Sequence, residues 1–224
     1  PLYARELKVL LEMMSLRQVD RVFVDGSLDR KAAGRILDHV VLATGAVNSP
    51  DMQEAVEKTG DLVRQITIPS LPPSFQSIIS NEEGTNKEDN SGFFVLENKK
   101  TAAFPFKYLL DKGKELSLLL DRHNPLAIYT KGALGENTFK EILKRKELPM
   151  IIIYNAASLF INPREWRQFL KRKGKIYATH PLKLIAVTVN PVSPEGWEFP
   201  KDVFLKSVQQ EVAPCPAFNP GPWN

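Results

Sequence analysis

Leu126-Ala-Ile-Tyr-Thr130-Lys-Gly-Ala-Leu-Gly135-Glu-Asn-Thr-Phe-Lys140-Glu-Ile-Leu-Lys-Arg145-Lys-Glu-Leu-Pro-Met150-Ile-Ile-Ile-Tyr154 is the stretch that decides the fold class. Residues 126–130 and 150–154 are short apolar runs, the mark of strands buried on both faces, and residues 136–146 between them read as a helix. A strand, a helix and a second strand in that order make a unit whose strands run parallel. The same alternation continues outward. Asn162-Pro163 opens a helix over 163–173, because an Asn cap followed by Pro suits the first turn. Strands at 176–179 and 183–190 and a helix at 202–211 follow. Upstream, 108–123 reads as a leucine-rich helix, and Phe93 to Glu97 with Thr101 to Phe104 forms a hairpin around Asn98-Lys99-Lys100.

Toward the N-terminus, Leu7, Leu10, Leu11 and Met14 fall at helical spacing, which predicts a helix over 3–15. Two further apolar runs, Arg21-Val-Phe-Val-Asp25-Gly26 and His39-Val-Val-Leu-Ala-Thr44-Gly45, each stop at a polar residue and a glycine, as parallel strands do on leaving a sheet. Ser49-Pro50-Asp51 starts a helix carrying Met52, Ala55, Val56 and Thr59 on one face, and 63–68 reads as a strand stopped by Pro69. Residues 72–92 contain Pro72-Pro73 and a long polar run, the composition of a loop or linker. The tail from Pro214 to Asn224 holds too many prolines for a helix or a central strand and is expected to lie extended on the surface. The expected class is therefore α/β, with a mainly parallel sheet and helices on both faces. The expected organisation is two lobes sharing a cleft, 1–80 and 93–224, joined by a polar linker at 81–92.

Composition narrows the classes further. The 224 residues are 43% hydrophobic and 25% charged, within the globular range, and carry a net charge of +4. Cys215 is the single cysteine, so no internal disulfide forms, which fits a reducing compartment and a cytoplasmic location. No apolar stretch approaches the roughly 20 residues of a membrane helix. His39, His123 and His180 lack zinc-ligand spacing, and neither a Gly-x-Ser-x-Gly elbow nor a reactive-cysteine signature is present. The cations at 140–146 and 171–175 sit at helix C-termini, where the macrodipole favours them, so nucleic acid is an unlikely partner.

Candidate ligand residues cluster at strand ends. Asp25 is positioned to hold Mg²⁺, directly or through water. Gly26 permits a sharp turn, and Asp29, Arg30 and Lys31 add charge beside it, the two cations suited to phosphate oxygens. The bland alternative is an Asp-Gly turn whose charges pair with one another. Thr130, Lys131 and Gly132 form a glycine-containing loop before a helix, able to cradle an anion or simply to connect strand to helix. Thr44, Gly45 and Asn155 complete a set of polar strand ends that would share one pocket in an open parallel sheet. ATP with Mg²⁺ is the ligand this set would take. No Gly-x-x-x-x-Gly-Lys-[Ser/Thr] loop is present, so an NTPase reading needs such a loop upstream of Pro1.

The segments Val24-Asp25-Gly26-Ser27-Leu28-Asp29-Arg30-Lys31, Leu42-Ala43-Thr44-Gly45-Ala46-Val47 and Glu57-Lys58-Thr59 resemble a family of accessory proteins from amino-acid-fermenting bacteria. That family is the KamB-type subunit of the lysine 5,6-aminomutase reactivase, which accompanies adenosylcobalamin-dependent lysine and ornithine aminomutases. The likeness is clearest over residues 9–71 and looser around 129–132 and 151–155. It implies a reactivating factor that works with a MutS-like ATPase partner and uses ATP to help replace damaged cobalamin in the mutase. It assigns no role to any individual residue. The competing readings are a stand-alone nucleotide- or phosphate-binding α/β enzyme and a non-catalytic interaction module.

Overall fold

The computed structural model describes residues 4–25, 39–85, 92–105 and 109–221. Within them lie seven α-helices and ten strands: α1 (Ala4–Leu16), β1 (His39–Gly45), α2 (Met52–Ile66), α3 (Pro73–Thr85), β2 (Gly92–Val95), β3 (Thr101–Ala103), α4 (Gly113–His123), β4 (Ala127–Thr130), β5 (Leu134–Gly135), α5 (Glu136–Leu143), β6 (Met150–Ile153), β7 (Leu159–Phe160), α6 (Pro163–Lys171), β8 (Ile176–Ala178), β9 (Lys183–Asn190), α7 (Lys201–Val212) and β10 (Ala217–Phe218).

The deciding stretch folds as its pattern dictates. β4 and β6 pair in parallel with Ala127 opposite Met150 and Thr130 opposite Ile153, and β6 pairs in parallel with β8. The β2–β3 hairpin adds antiparallel to β4, giving a five-stranded sheet in the order β3-β2-β4-β6-β8. Lys99, at φ 61°, makes the left-handed turn of that hairpin. Continuous apolar runs are explained by burial on both faces. Phe94, Ile128, Ile151 and Ile153 belong to one core cluster with α4, α5 and α6, whereas Phe93, Val95, Ala127, Tyr129 and Ile152 pack with Leu71 and Ile79 on the side of α3. Adjacent residues of a strand face opposite ways, so each face needs its own apolar set.

The second sheet is wholly parallel, in the order β1-β9-β10, with Leu42 opposite Val187 and Thr44 opposite Val189. The tail thus contributes an edge strand, Ala217–Phe218, a place that proline-rich chain tolerates. One cluster joins Leu42, Val56 and Ile66 to Phe139, Ile153, Trp166, Val187 and Phe204. Pairing of β1 with β9 and this shared core both cross the division between 1–80 and 93–224.

Three elements differ from the sequence reading. Residues 63–66 do not start a strand; they finish α2, whose buried face runs Ala55, Val56, Thr59, Val63, Ile66 at helical spacing. Residues 21–24 take no regular structure, and Phe23 is 88% exposed: three apolar residues without a hydrogen-bonded neighbour do not make a strand. Within the expected 72–92 loop, Pro73 begins α3, and Phe75, Ile78 and Ile79 at i, i+3 and i+4 turn to the second core cluster.

Candidate functional site

Thr44 ends β1 and is buried. Thr59 Oγ1 donates to Ala55 O at 2.8 Å, so its only hydroxyl hydrogen is used. The 2.6 Å contact between Thr44 Oγ1 and Thr59 Oγ1 must then run from Thr44 to Thr59, and Asn48 Nδ2 donates to Thr44 at 2.9 Å. The result is a directed chain from Asn48 through Thr44 and Thr59 to Ala55, in which both threonine hydroxyls have an acceptor. Gly45 is extended (φ 178°), so its need is space rather than conformation. A Cβ there would stand 2.5 Å from the carbonyl oxygen of Asn190 on β9.

Thr130 and Asn155 both lie at the carboxyl edge of the five-stranded sheet: Thr130 pairs with Ile153 at the end of β6, and Asn155 follows two residues later. Thr130 Oγ1 accepts the Gly132 N–H at 3.1 Å, closing the loop that Lys131 occupies, and Asn155 accepts the Ala157 N–H at 3.1 Å to cap a 3₁₀ turn. Both side chains are buried. The structure brings Thr130, Lys131, Gly132 and Asn155 to one sheet edge and Thr44 and Gly45 to the end of the other sheet. None of these six residues lines any of the hollows described below.

Asp25 is exposed and lines an open hollow of about 370 Å³ with Phe23, His39, Val41 and Ile185. Gly26, Asp29, Arg30 and Lys31 lie outside the described residues. Among the described residues, no group of three or more histidine, cysteine, aspartate or glutamate side chains is placed to hold a metal ion.

Two hollows fall on residues that the sequence does not mark as ligand candidates. One, of about 440 Å³, opens beyond the carboxyl end of β8, between Ser70, Gln76 and Ser80 on one side and Thr179 and His180 on the other. The His180 ring stacks on Tyr154 with centroids 4.1 Å apart, and its Nδ1 is 3.0 Å from Thr179 Oγ1. Strand-end position was the signal that pointed to Thr44 and Asn155, and it applies equally to Thr179 and His180.

The larger hollow, about 740 Å³, is a groove between α2 and α6 lined by Lys58, Asn162, Arg164, Arg167, Gln168 and Lys171. Lys58 is held by Glu54 at 3.0 Å and by the Asn48 carbonyl at 2.9 Å. Ser49 and Lys58 both hydrogen-bond Glu54 and hold its carboxyl below the usual range. Arg167 Nε stands 2.8 Å from Asp61 Oδ2, and its other end is 3.6 Å from Glu57. Arg164 and Lys171 make no ion pair among the described residues. Spacing of i, i+3 and i+7 along one helix would have marked Arg164, Arg167 and Lys171 as a stripe; Lys58, from a distant element, gave no such signal.

No protein-family model, curated protein or solved structure matches this chain. Among the described residues, no helix is long and apolar enough to cross a membrane.

Proposed function

We propose that this chain is a non-catalytic accessory protein that acts by binding, in the setting its N-terminal segments imply: a reactivating factor for an adenosylcobalamin-dependent aminomutase, working beside an ATPase partner. The observation that carries binding over chemistry is the state of the strand ends. A catalytic group must present a free proton acceptor or nucleophile to substrate. Thr44 and Asn155 instead spend their polar atoms on Asn48, Thr59 and Ala157. The cationic groove, by contrast, is open to solvent and offers charge to a partner.

The test is complex formation. The full chain is mixed with a purified lysine 5,6-aminomutase and its MutS-like ATPase, with and without Mg-ATP, and followed by size-exclusion chromatography with light scattering. A co-eluting complex supports the reading, and separate elution under both conditions overturns it. Titration of the full chain with Mg-ATP alone addresses Asp25. Saturable heat that Asp25→Asn abolishes would place nucleotide on this chain, in line with the enzyme alternative; absence of heat leaves ATP to the partner.

A further inference from the structure

The groove between α2 and α6 has more positive charge than its fold requires. Macrodipole attraction accounts for Lys171 in the last turn of α6, but Arg164 sits in the first turn, where the helix end is positive and a cation is disfavoured. Glu54, Glu57 and Asp61 hold Lys58 and Arg167. No carboxylate among the described residues pairs with Arg164 or Lys171. Four cations therefore line one groove whose lining includes no acidic residue, and two of the four have no acidic partner among the described residues.

Local geometry separates two kinds of anion. A phosphate held by a helix N-terminus uses the free N–H groups of the first turn. On α6 the Asn162 side chain already accepts from the N–H groups of Arg164 and Glu165, at 2.9 and 3.1 Å. Glu136 hydrogen-bonds the same Asn162 side chain and so places a carboxylate beside that end. The filled first-turn donors work against a phosphate there, whereas the Glu136 carboxylate bears on any anion alike. The cations are instead spread along the helix: Arg164 to Lys171 is seven residues, about 10 Å of rise. Carboxylates at alternate positions of an extended chain recur every ~6.7 Å, so two or three of them span that distance. Arginine guanidinium groups match carboxylates in two-point contacts.

We infer that the α2–α6 groove is a docking site for an extended acidic segment of a partner protein, with Arg164 and Lys171 as the specificity contacts and Lys58 and Arg167 as fixed charges held by their own acids. This rests on the reading of the chain as a binding protein, and names the chemistry of the partner.

The test uses the full chain and a fluorescein-labelled peptide of alternating glutamate and serine, about ten residues long, so it needs neither the mutase nor the ATPase. Fluorescence anisotropy is expected to show binding that weakens with added salt, because partly exposed charges are screened. The double reversal Arg164→Glu/Lys171→Glu is expected to weaken it by roughly tenfold or more, since two attractive charges become repulsive. The milder Arg164→Gln/Lys171→Gln pair, checked by circular dichroism, gives a second reading that a folding defect would not confuse. Lys114→Glu, on α4 away from the groove, is expected to change nothing. The proposal is overturned by no binding in low salt, by equal loss in the Lys114 control, or by inorganic tripolyphosphate binding the same residues more tightly than the peptide. A peptide result of either kind leaves complex formation with the mutase to be decided by its own experiment.

Discussion

Arg167 Nε on α6 stands 2.8 Å from Asp61 Oδ2 on α2, and Asp61 is only 1% exposed. The contact is an ion pair without an aligned hydrogen, so Oδ2 lacks a hydrogen-bond donor. Arg64 takes the other oxygen at 3.0 Å and reaches Glu211 of α7 at 2.8 Å. Asp61 thus ties α2 to α6, and Arg64 carries the network on to Glu211 of α7. Burial works against the charge of Arg64, but its hydrogen bonds to Glu211 and Asp61 outweigh that and hold the guanidinium above its ordinary range.

Removing one partner of such a pair leaves the other charge buried, which is worse than removing both. Arg167→Met is expected to cost about 1–3 kcal/mol in urea unfolding, less than a fully stranded charge because Arg64 stays. The double variant Arg167→Met/Asp61→Leu should recover part of that loss. Strictly additive losses would show that the two side chains do not interact.

Gly45→Ala tests whether the glycine after Thr44 serves packing. The new methyl would meet the Asn190 backbone, which cannot swing aside as a side chain can. The expected cost is about 1–3 kcal/mol, the usual size of overpacking in a tight site. An unchanged unfolding midpoint would return Gly45 to the list of residues kept for a ligand.

The parallel β4–α5–β6 unit, the Asn162-Pro163 helix start and the Lys99 turn are readable because their signals are local: a period, a cap, a hairpin turn. The end of α2 is not readable locally, because Val63 and Ile66 suit a strand and a helix equally and only the tertiary contact decides. The site is less legible for the same reason. Thr44 looks available when considered alone, and the fold brings Thr59 to it; Thr130 and Asn155 bond N–H groups only two residues on, a turn habit of Thr and Asn that their strand-end position obscures. Lys58 and Arg167 are 109 positions apart in sequence, so no spacing rule joins them into one groove.

Acid should loosen the surface pairs in a defined order of sign. Glu54, Glu115 and Glu136 are each held below the ordinary value of 4.5, chiefly by hydrogen bonds to Ser49, to Lys112 and to Lys140 respectively. A carboxylate with a lowered folded-state pKa contributes stability that is complete above its unfolded value and is lost as pH falls through the folded one. Unfolding midpoints are therefore expected to hold above about pH 5 and decline below pH 4.5. Glu136→Gln should flatten that decline. The same slope in wild type and variant would remove Glu136 from the account.

Thr44→Val asks most directly whether the end of β1 is structural. The substitution keeps shape and removes one hydroxyl from the middle of the Asn48–Thr44–Thr59–Ala55 chain. Asn48 Nδ2 then loses its acceptor, and Thr59 Oγ1 loses the donor that faced it while keeping its own bond to Ala55. Thr59 is fully buried, so water cannot replace the missing partner without entering the core. The expected loss is about 1–3 kcal/mol, the cost of leaving buried polar groups unsatisfied. Thr44→Ser keeps the hydroxyl and gives up a methyl, so it should retain most of that stability. If Thr44→Val were as stable as wild type while losing affinity for Mg-ATP, the hydroxyl would belong to a ligand site, and the chain drawn here would not be what holds it.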